Sequence, residues 1–148
     1  MIPMRIVVLV GLPGCGKSTW LERRNAVGLS SDVLRLWLAD DETDQTIHDR
    51  VFETLRYLLR QRLILGRPIT YIDATNLTPE ERAPYIGMGK SYGCEMEAVY
   101  FAVPLEVCLA RNAQRRRIVP DEAMAKLAAK LIAPSPAEGF THISLVTD

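Results

Sequence analysis

The sequence predicts an α/β domain: a five-stranded parallel sheet with helices on both faces. Three observations carry this prediction. Short apolar runs alternate with helical patterns, the order that a parallel sheet needs. A glycine-rich stretch, GLPGCGKST at residues 11–19, joins the apolar run RIVVLV to a helical pattern. The length, 148 residues, is that of one domain, able to bury roughly two-thirds of its unfolded surface.

Taken in order, the β-branched run Ile6, Val7, Val8 and Val10 is the first strand, and Thr19, Trp20, Leu21 and Arg23 open the first helix. VGLSSD is a short second strand ending at Ser30, Ser31 and Asp32, followed by the short helix VLRLWLA. DDETDQT, residues 40–46, reads as a loop that caps the next helix. That helix, about residues 45–65, puts Ile47, Val51, Leu55 and Leu58 on one stripe and stops at Gly66. PITYIDATN holds a buried strand ending at Asp73. Thr78-Pro79-Glu80-Glu81 is a capping box with proline at the first helical position, opening a helix to about Ser91. Residues 95–102 form a fourth strand, Pro104 starts a helix through Asn112, and a further helix covers about residues 121–132. The proline-rich APSPAEGF leads to a last strand near residues 142–146. Trp20, Trp37 and Tyr57 lie in helical patterns and read as core.

The glycine-rich stretch has the spacing G-x-x-x-x-G-K-[ST], with Gly11, Gly16, Lys17 and Ser18 in the defining places. Glycine lets backbone N–H groups turn toward a polyphosphate without an obstructing Cβ, and the following helix directs its N-terminus at the same charge. Gly14, Cys15 and Thr19 complete the cradle, Lys17 reaches the β- and γ-phosphates, and the Ser18 hydroxyl is placed to ligate Mg²⁺. The stretch predicts a P-loop NTPase fold that binds ATP or another nucleoside triphosphate.

Asp73 ends a buried strand at the sheet edge where ligands gather, which suits a carboxylate that holds Mg²⁺ with Ser18; the alternative is a helix cap or loop anchor. Right-handed crossovers and that partnership set the strand order 2-3-1-4-5. Asp32 can accept the proton of an acceptor hydroxyl, with Arg35 on the same helix face; equally, Asp32 can be a plain N-cap and Arg35 a solvated charge. Arg111, Arg115, Arg116 and Arg117 are the densest cation cluster. Arg111 and Arg115, one helical turn apart, can reach one ligand and neutralise charge on a transferred phosphoryl group. Three consecutive arginines cannot all face inward, so part of the cluster is a surface patch. His48 and His142 take no catalytic role.

At SSDVLRLWLADDETDQT followed by YIDATN the chain resembles the kinase module of bacterial polynucleotide kinase–phosphatase repair enzymes, within the P-loop 5′-hydroxyl polynucleotide kinases. The resemblance extends through VCLARN at residues 107–112 and EGF at residues 138–140, nearly the whole chain. It implies transfer of the γ-phosphate of ATP to a 5′-hydroxyl end of DNA or RNA. Lys17 and Ser18 would serve the phosphates and Mg²⁺, Asp32 would be the general base, and Arg35 would hold the acceptor's first phosphodiester. Arg111 and Arg115 would act from a mobile lid, about residues 111–132.

Formal charge balances at zero, with 18 basic and 18 acidic residues, so no global field draws the chain to nucleic acid or membrane. Arg greatly outnumbers Lys, which suits phosphate recognition and also follows from genome composition. Cys15, Cys94 and Cys108 are isolated, without metal spacing, and fit a reducing compartment. With no signal peptide and no apolar run near 20 residues, a cytoplasmic location is expected. A kinase of a small alcohol on the same scaffold, or a nucleotide-binding switch without phosphotransfer, are the other functions this sequence admits. Zero net charge favours the small alcohol; the Asp32–Arg35 pair favours the polynucleotide, and a switch needs no base at Asp32.

Overall fold

The computed structural model describes residues 2–148. Strands β1 (Arg5–Val10), β2 (Leu29–Ser30), β3 (Ile69–Asp73), β4 (Glu95–Phe101) and β5 (His142–Val146) form one parallel sheet in the order 2-3-1-4-5, as the crossover argument requires. β1 sits at the centre, with Val8 beside Ile72 on β3 and Val10 beside Tyr100 on β4. Its residues alternate between two cores. Ile6, Val8 and Val10 pack with Val51, Leu55, Leu59 and Tyr85, whereas Val7 and Leu9 pack with Leu21, Phe101, Cys108 and Met124. A strand buried on both faces carries no polar alternation, which is why IVVLV, residues 6–10, is apolar throughout.

The helices are α1 (Lys17–Arg23), α2 (Ser31–Ala39), α3 (His48–Ile64), α4 (Pro79–Ser91), α5 (Leu105–Asn112) and α6 (Asp121–Lys130). A short 3₁₀ turn, Pro136–Glu138, precedes β5. Among the described residues no helix is long and apolar enough to cross a membrane.

Several local expectations are corrected. Ser31 already belongs to α2, and the strand before it is only two residues long. The buried stripe of α3 is Val51, Leu55, Leu59 and Leu63; Leu58 lies at its margin, because four-residue steps from Val51 lead to Leu59. The 40–46 loop does not cap α3, whose cap is Ile47 without a side-chain bond. Its aspartates close on the loop instead: Asp41 accepts from the Thr43 backbone N–H at 2.9 Å, and Asp44 from that of Thr46 at 2.8 Å. Thr78 does accept from the Glu81 backbone N–H at 3.2 Å. Trp20 packs edge-on against Tyr71 and Phe101, but Trp37 and Tyr57 are 71% and 57% exposed, Tyr57 on the helix face opposite Leu55.

Candidate active site

Parallel strands bring their carboxyl ends to one edge, and Ser30 lies beside Asp73 in the β2–β3 register. The chain following β1, β2 and β3 therefore meets above the sheet, around a cleft of about 1090 Å³. Lys17, Ser18, Thr19, Asp32, Arg35, Asp73, Arg115 and Arg117 all line it.

The loop after β1 needs its glycines. Gly14 (φ 79°) and Gly16 (φ 105°) lie in the left-handed region, and a Cβ on Gly14 would stand 2.8 Å from the Cys108 carbonyl oxygen. Gly11 is tight for a second reason, since a Cβ there would lie 2.6 Å from Cys15 Sγ. Gly16 caps α1 without any side-chain bond. The Lys17 ammonium donates to the carbonyls of Gly11 at 2.8 Å and Leu12 at 2.9 Å, which holds it across the loop.

DATN is an anchoring device. Asn76, buried and left-handed (φ 49°), donates from Nδ2 to the Leu9 carbonyl at 2.7 Å, and the Gly11 N–H donates to the Thr75 carbonyl at 3.0 Å. These bonds fix Asp73 relative to the glycine loop. Gly28 completes the fit, because a Cβ there would lie 2.9 Å from Asp73 Cβ. Burial raises the Asp73 pKa above the ordinary aspartate value, against the opposing pull of Lys17; Asp32 adds to the rise and Arg115 opposes it.

Ser18 and Asp73 offer hard oxygen donors in one cleft, and the described residues hold no group of three or more His, Cys, Asp or Glu that could cage a metal. So small a set suits Mg²⁺, which takes one or two protein oxygens and is otherwise held by phosphates and water.

Ser30 caps α2, its Oγ accepting from the Val33 N–H at 3.2 Å. Asp32 is therefore free of the capping role, and its half-exposed carboxylate faces the cleft beside Arg35 Nη1 at 3.5 Å. Arg35 is not a solvated charge: only 4% of its surface is exposed, and its Nε has no hydrogen-bond partner. Burial lowers its pKa, Asp32 raises it, and Arg117 lowers it further.

The arginine cluster is divided. α5 ends at Asn112, so Arg111 and Arg115 do not share a helical turn as their spacing suggests. Arg111 donates to the Cys15 carbonyl at 3.4 Å and the Asp148 carbonyl at 3.1 Å, in a second cavity of about 430 Å³ with Trp20 and Thr147. Arg115 lines the large cleft. Among the described residues only Gly16 and Thr19 border both spaces, so a ligand touching both arginines must cross the glycine loop. Arg116 reaches Glu42 at 3.2 Å, and Arg117 reaches Asp32 Oδ1 at 2.5 Å.

Asn112 holds this segment in shape, donating to the Val119 carbonyl at 2.6 Å and accepting from the Val119 N–H at 3.1 Å. Arg117, which the sequence left undivided within the cation cluster, and Asn112 are participants to which sequence reasoning gave no separate role. His48, set aside above, also lines the cleft, its ring 4.8 Å from that of Phe52.

Comparison with known proteins places the chain. Over 136 residues it is 21% identical to an L-seryl-tRNA(Sec) kinase of Methanococcus maripaludis, covering 87% of this chain and 53% of that protein. The chain thus spans about half the length of that curated relative. Among solved structures, the Pnkp1/Rnl/Hen1 RNA repair complex matches with a TM-score of 0.74 at 23% identity, over 88% of this chain and 45% of the other. Chaetomium thermophilum Kti12 in complex with ADP-AlF3 matches at 0.70 and 17% identity, covering 96% and 88%. A gluconokinase from Sinorhizobium meliloti 1021 matches at 0.61 and 18% identity, covering 99% and 83%. These likenesses establish a shared fold. Residues 6–134 match the family model AAA_33, described as an AAA domain, and the chain belongs to that P-loop family.

Proposed function

We propose that this chain is an ATP-dependent kinase that transfers the γ-phosphoryl group to a 5′-hydroxyl end of DNA or RNA, in nucleic-acid repair or processing. One observation carries the reading: a carboxylate, Asp32, and a nearly buried guanidinium, Arg35, stand side by side in the cleft that Lys17 and Ser18 also line. A hydroxyl beside a phosphate is the acceptor that such a pair fits. The chain's likeness in fold to the RNA repair complex supports the same reading.

The residues divide the work. The backbone of Gly11, Gly14, Cys15, Gly16 and Thr19 cradles the polyphosphate, and Lys17 neutralises its outer charge. Ser18 and Asp73 would hold Mg²⁺, which when bound would offset negative charge on the polyphosphate. The smaller cavity takes the donor base, with Trp20 and Arg111 at its walls. Arg115, on the cleft side, serves the transferred group. Asp32 orients the acceptor hydroxyl and accepts its proton, and Arg35 holds the adjoining phosphate.

The test is transfer of label from γ-labelled ATP to 5′-hydroxyl oligonucleotides, run against a panel of sugars and other small alcohols. Preferential labelling of the oligonucleotide is expected. Labelling confined to a small alcohol, as the fold shared with a gluconokinase would allow, overturns the assignment.

A further inference from the structure

Three charges meet at the acceptor end of the cleft. Asp32 Oδ1 accepts from Arg117 Nη1 at 2.5 Å and from Arg35 Nη1 at 3.5 Å, so two guanidiniums share one carboxylate oxygen. The Arg35 side chain is 5% exposed, and its Nε has no hydrogen-bond partner. An unpaired N–H on a buried cation is costly, and the two arginines share one bonded carboxylate, with Asp44 acting on Arg35 and Asp41 on Arg117 only through the field. The Arg35 guanidinium is thus left short of hydrogen-bond acceptors.

The two arginines come from different parts of the chain. Arg35 is fixed in α2, whereas Arg117 lies between α5 and α6 and reaches Asp32 across 85 residues. Its neighbour Arg116 reaches Glu42 in the 40–46 loop, so this segment grips the acceptor side at two points. The grips differ: the Arg116 side chain is 84% exposed and that of Arg117 only 19%.

We propose that Arg117 is a second ligand for the acceptor's phosphate, and that it leaves Asp32 for that phosphate when the acceptor binds. Asp32 Oδ1, the oxygen that both guanidiniums hold, is then released for acceptors that carry an anion beside the hydroxyl. This rests on the roles assigned above to Asp32 and Arg35. A phosphate brought to the Arg35 guanidinium from the cleft competes for Arg117, and planar guanidiniums favour phosphate oxygens in paired contacts. Once Arg117 has moved, Asp32 Oδ1 can accept from the hydroxyl. The hydroxyl oxygen forms a bond to the γ-phosphorus, the bond from that phosphorus to the β–γ bridging oxygen breaks, the proton passes to Asp32, and ADP departs. Without such an acceptor, Arg117 holds Asp32 by Oδ1 and leaves only Oδ2 to orient water, which slows the same displacement and spares ATP.

Arg117→Gln removes the charge while keeping a hydrogen-bonding side chain of similar reach. Three rates are measured on wild type and variant: ATP hydrolysis without acceptor, transfer to a nucleoside, and transfer to the nucleoside 3′-phosphate. The variant is expected to hydrolyse ATP and to phosphorylate the bare nucleoside faster. It should lose about tenfold or more in kcat/KM on the 3′-phosphate, the scale of one charge-assisted hydrogen bond. The KM for ATP should not change. A misfolded or loosened variant would lower all three rates together, and that result, or three unchanged rates, overturns the proposal. If wild type uses neither nucleoside acceptor, the polynucleotide reading fails on its own. Acceptor-free hydrolysis then decides for Arg117: an increase sustains its hold on Asp32, and no increase overturns it.

Discussion

Arg82 and Glu138, 56 residues apart, form a two-pronged ion pair, Nε to Oε1 at 2.8 Å and Nη2 to Oε2 at 2.9 Å, with the arginine side chain wholly buried. Arg82 also donates to the carbonyls of Asn76 at 2.9 Å and Ile132 at 3.0 Å. It thereby ties the loop after Asp73 to the chain that follows α6. The first prediction follows. Glu138→Ala leaves a buried cation unpaired and should destabilise the fold by about 3–5 kcal/mol in denaturant unfolding, whereas Arg82→Leu combined with Glu138→Leu should cost less. Burial pushes the Glu138 pKa up, but bonds from Arg82 and the Ser135 backbone hold it below the ordinary glutamate value. Its stabilisation is thus complete above the unfolded pKa, about 4.3, and is lost as pH falls through the lower folded value. Glu138→Gln should flatten that acid limb; an unchanged limb would remove the pair from the account.

Lys17→Ala should abolish phosphotransfer while leaving the fold intact. The lysine acts on phosphate charge, and its hydrogen-bond partners among the described residues lie in the glycine loop itself. Labelled-ATP turnover and thermal unfolding, measured together, check this. Wild-type turnover in the variant would show that the loop does not hold the donor.

How far the sequence reveals this site depends on whether an interaction is local. The spacing from Gly11 to Ser18, the cap at Thr78 and the placing of Asp73 at a strand end are encoded within a few residues, and all are readable. The sheet order follows from crossover handedness and is equally accessible. Arg117 is different. Among three adjacent arginines, the one that faces Asp32 is chosen by the Asn112–Val119 clamp and by α2, a long-range geometry with no periodic signature. Trp37 and Tyr57 mislead because a helical pattern does not say which face meets the core. The capping role open to Asp32 passes to Ser30 because the chain enters α2 two residues earlier than the polar run suggests.

Asp73→Asn should stabilise the protein while disabling it. Burial raises the folded pKa of Asp73, so the native state holds its proton to higher pH than the unfolded chain does. Ionising it costs stability as pH rises from the unfolded value, about 3.9, through the folded one. Unfolding free energy should therefore be higher for the variant than for wild type at pH 7, with the gap closing in acid. Mg²⁺-dependent turnover should fall in the same variant. A variant less stable than wild type at pH 7 would mean that pairing with Lys17 outweighs burial.

Asp32→Ala should leave ATP binding nearly intact and lower turnover by roughly 10²- to 10⁴-fold, the reach of general-base catalysis. Asp32→Asn should be as damaging, since an amide keeps the shape but cannot take the proton. Ser30 already caps α2, so neither change should unfold the helix. Near-normal turnover in both variants would leave Asp32 as an electrostatic partner of Arg35 and Arg117 only.

Arg35 separates the polynucleotide from the small alcohol. If Arg35 grips the phosphate 3′ to the acceptor nucleoside, its loss removes a charge-assisted contact worth about 1.5–3 kcal/mol, or roughly ten- to over a hundredfold in rate. That loss belongs only to acceptors that carry the phosphate. Wild type should therefore phosphorylate a nucleoside 3′-phosphate far better than the bare nucleoside, and Arg35→Ala should erase most of the gap. Because Arg35 is buried beside Asp32, the variant can also lose stability. The ratio between the two acceptors, measured on the same preparation, is insensitive to the folded fraction. The preference should weaken only modestly with salt, as few phosphates are involved. Equal rates on the two acceptors in wild type, or rejection of both with phosphorylation of a sugar, would mean that Arg35 does not read a nucleic-acid backbone. The small-alcohol kinase would then be the better account of the cleft.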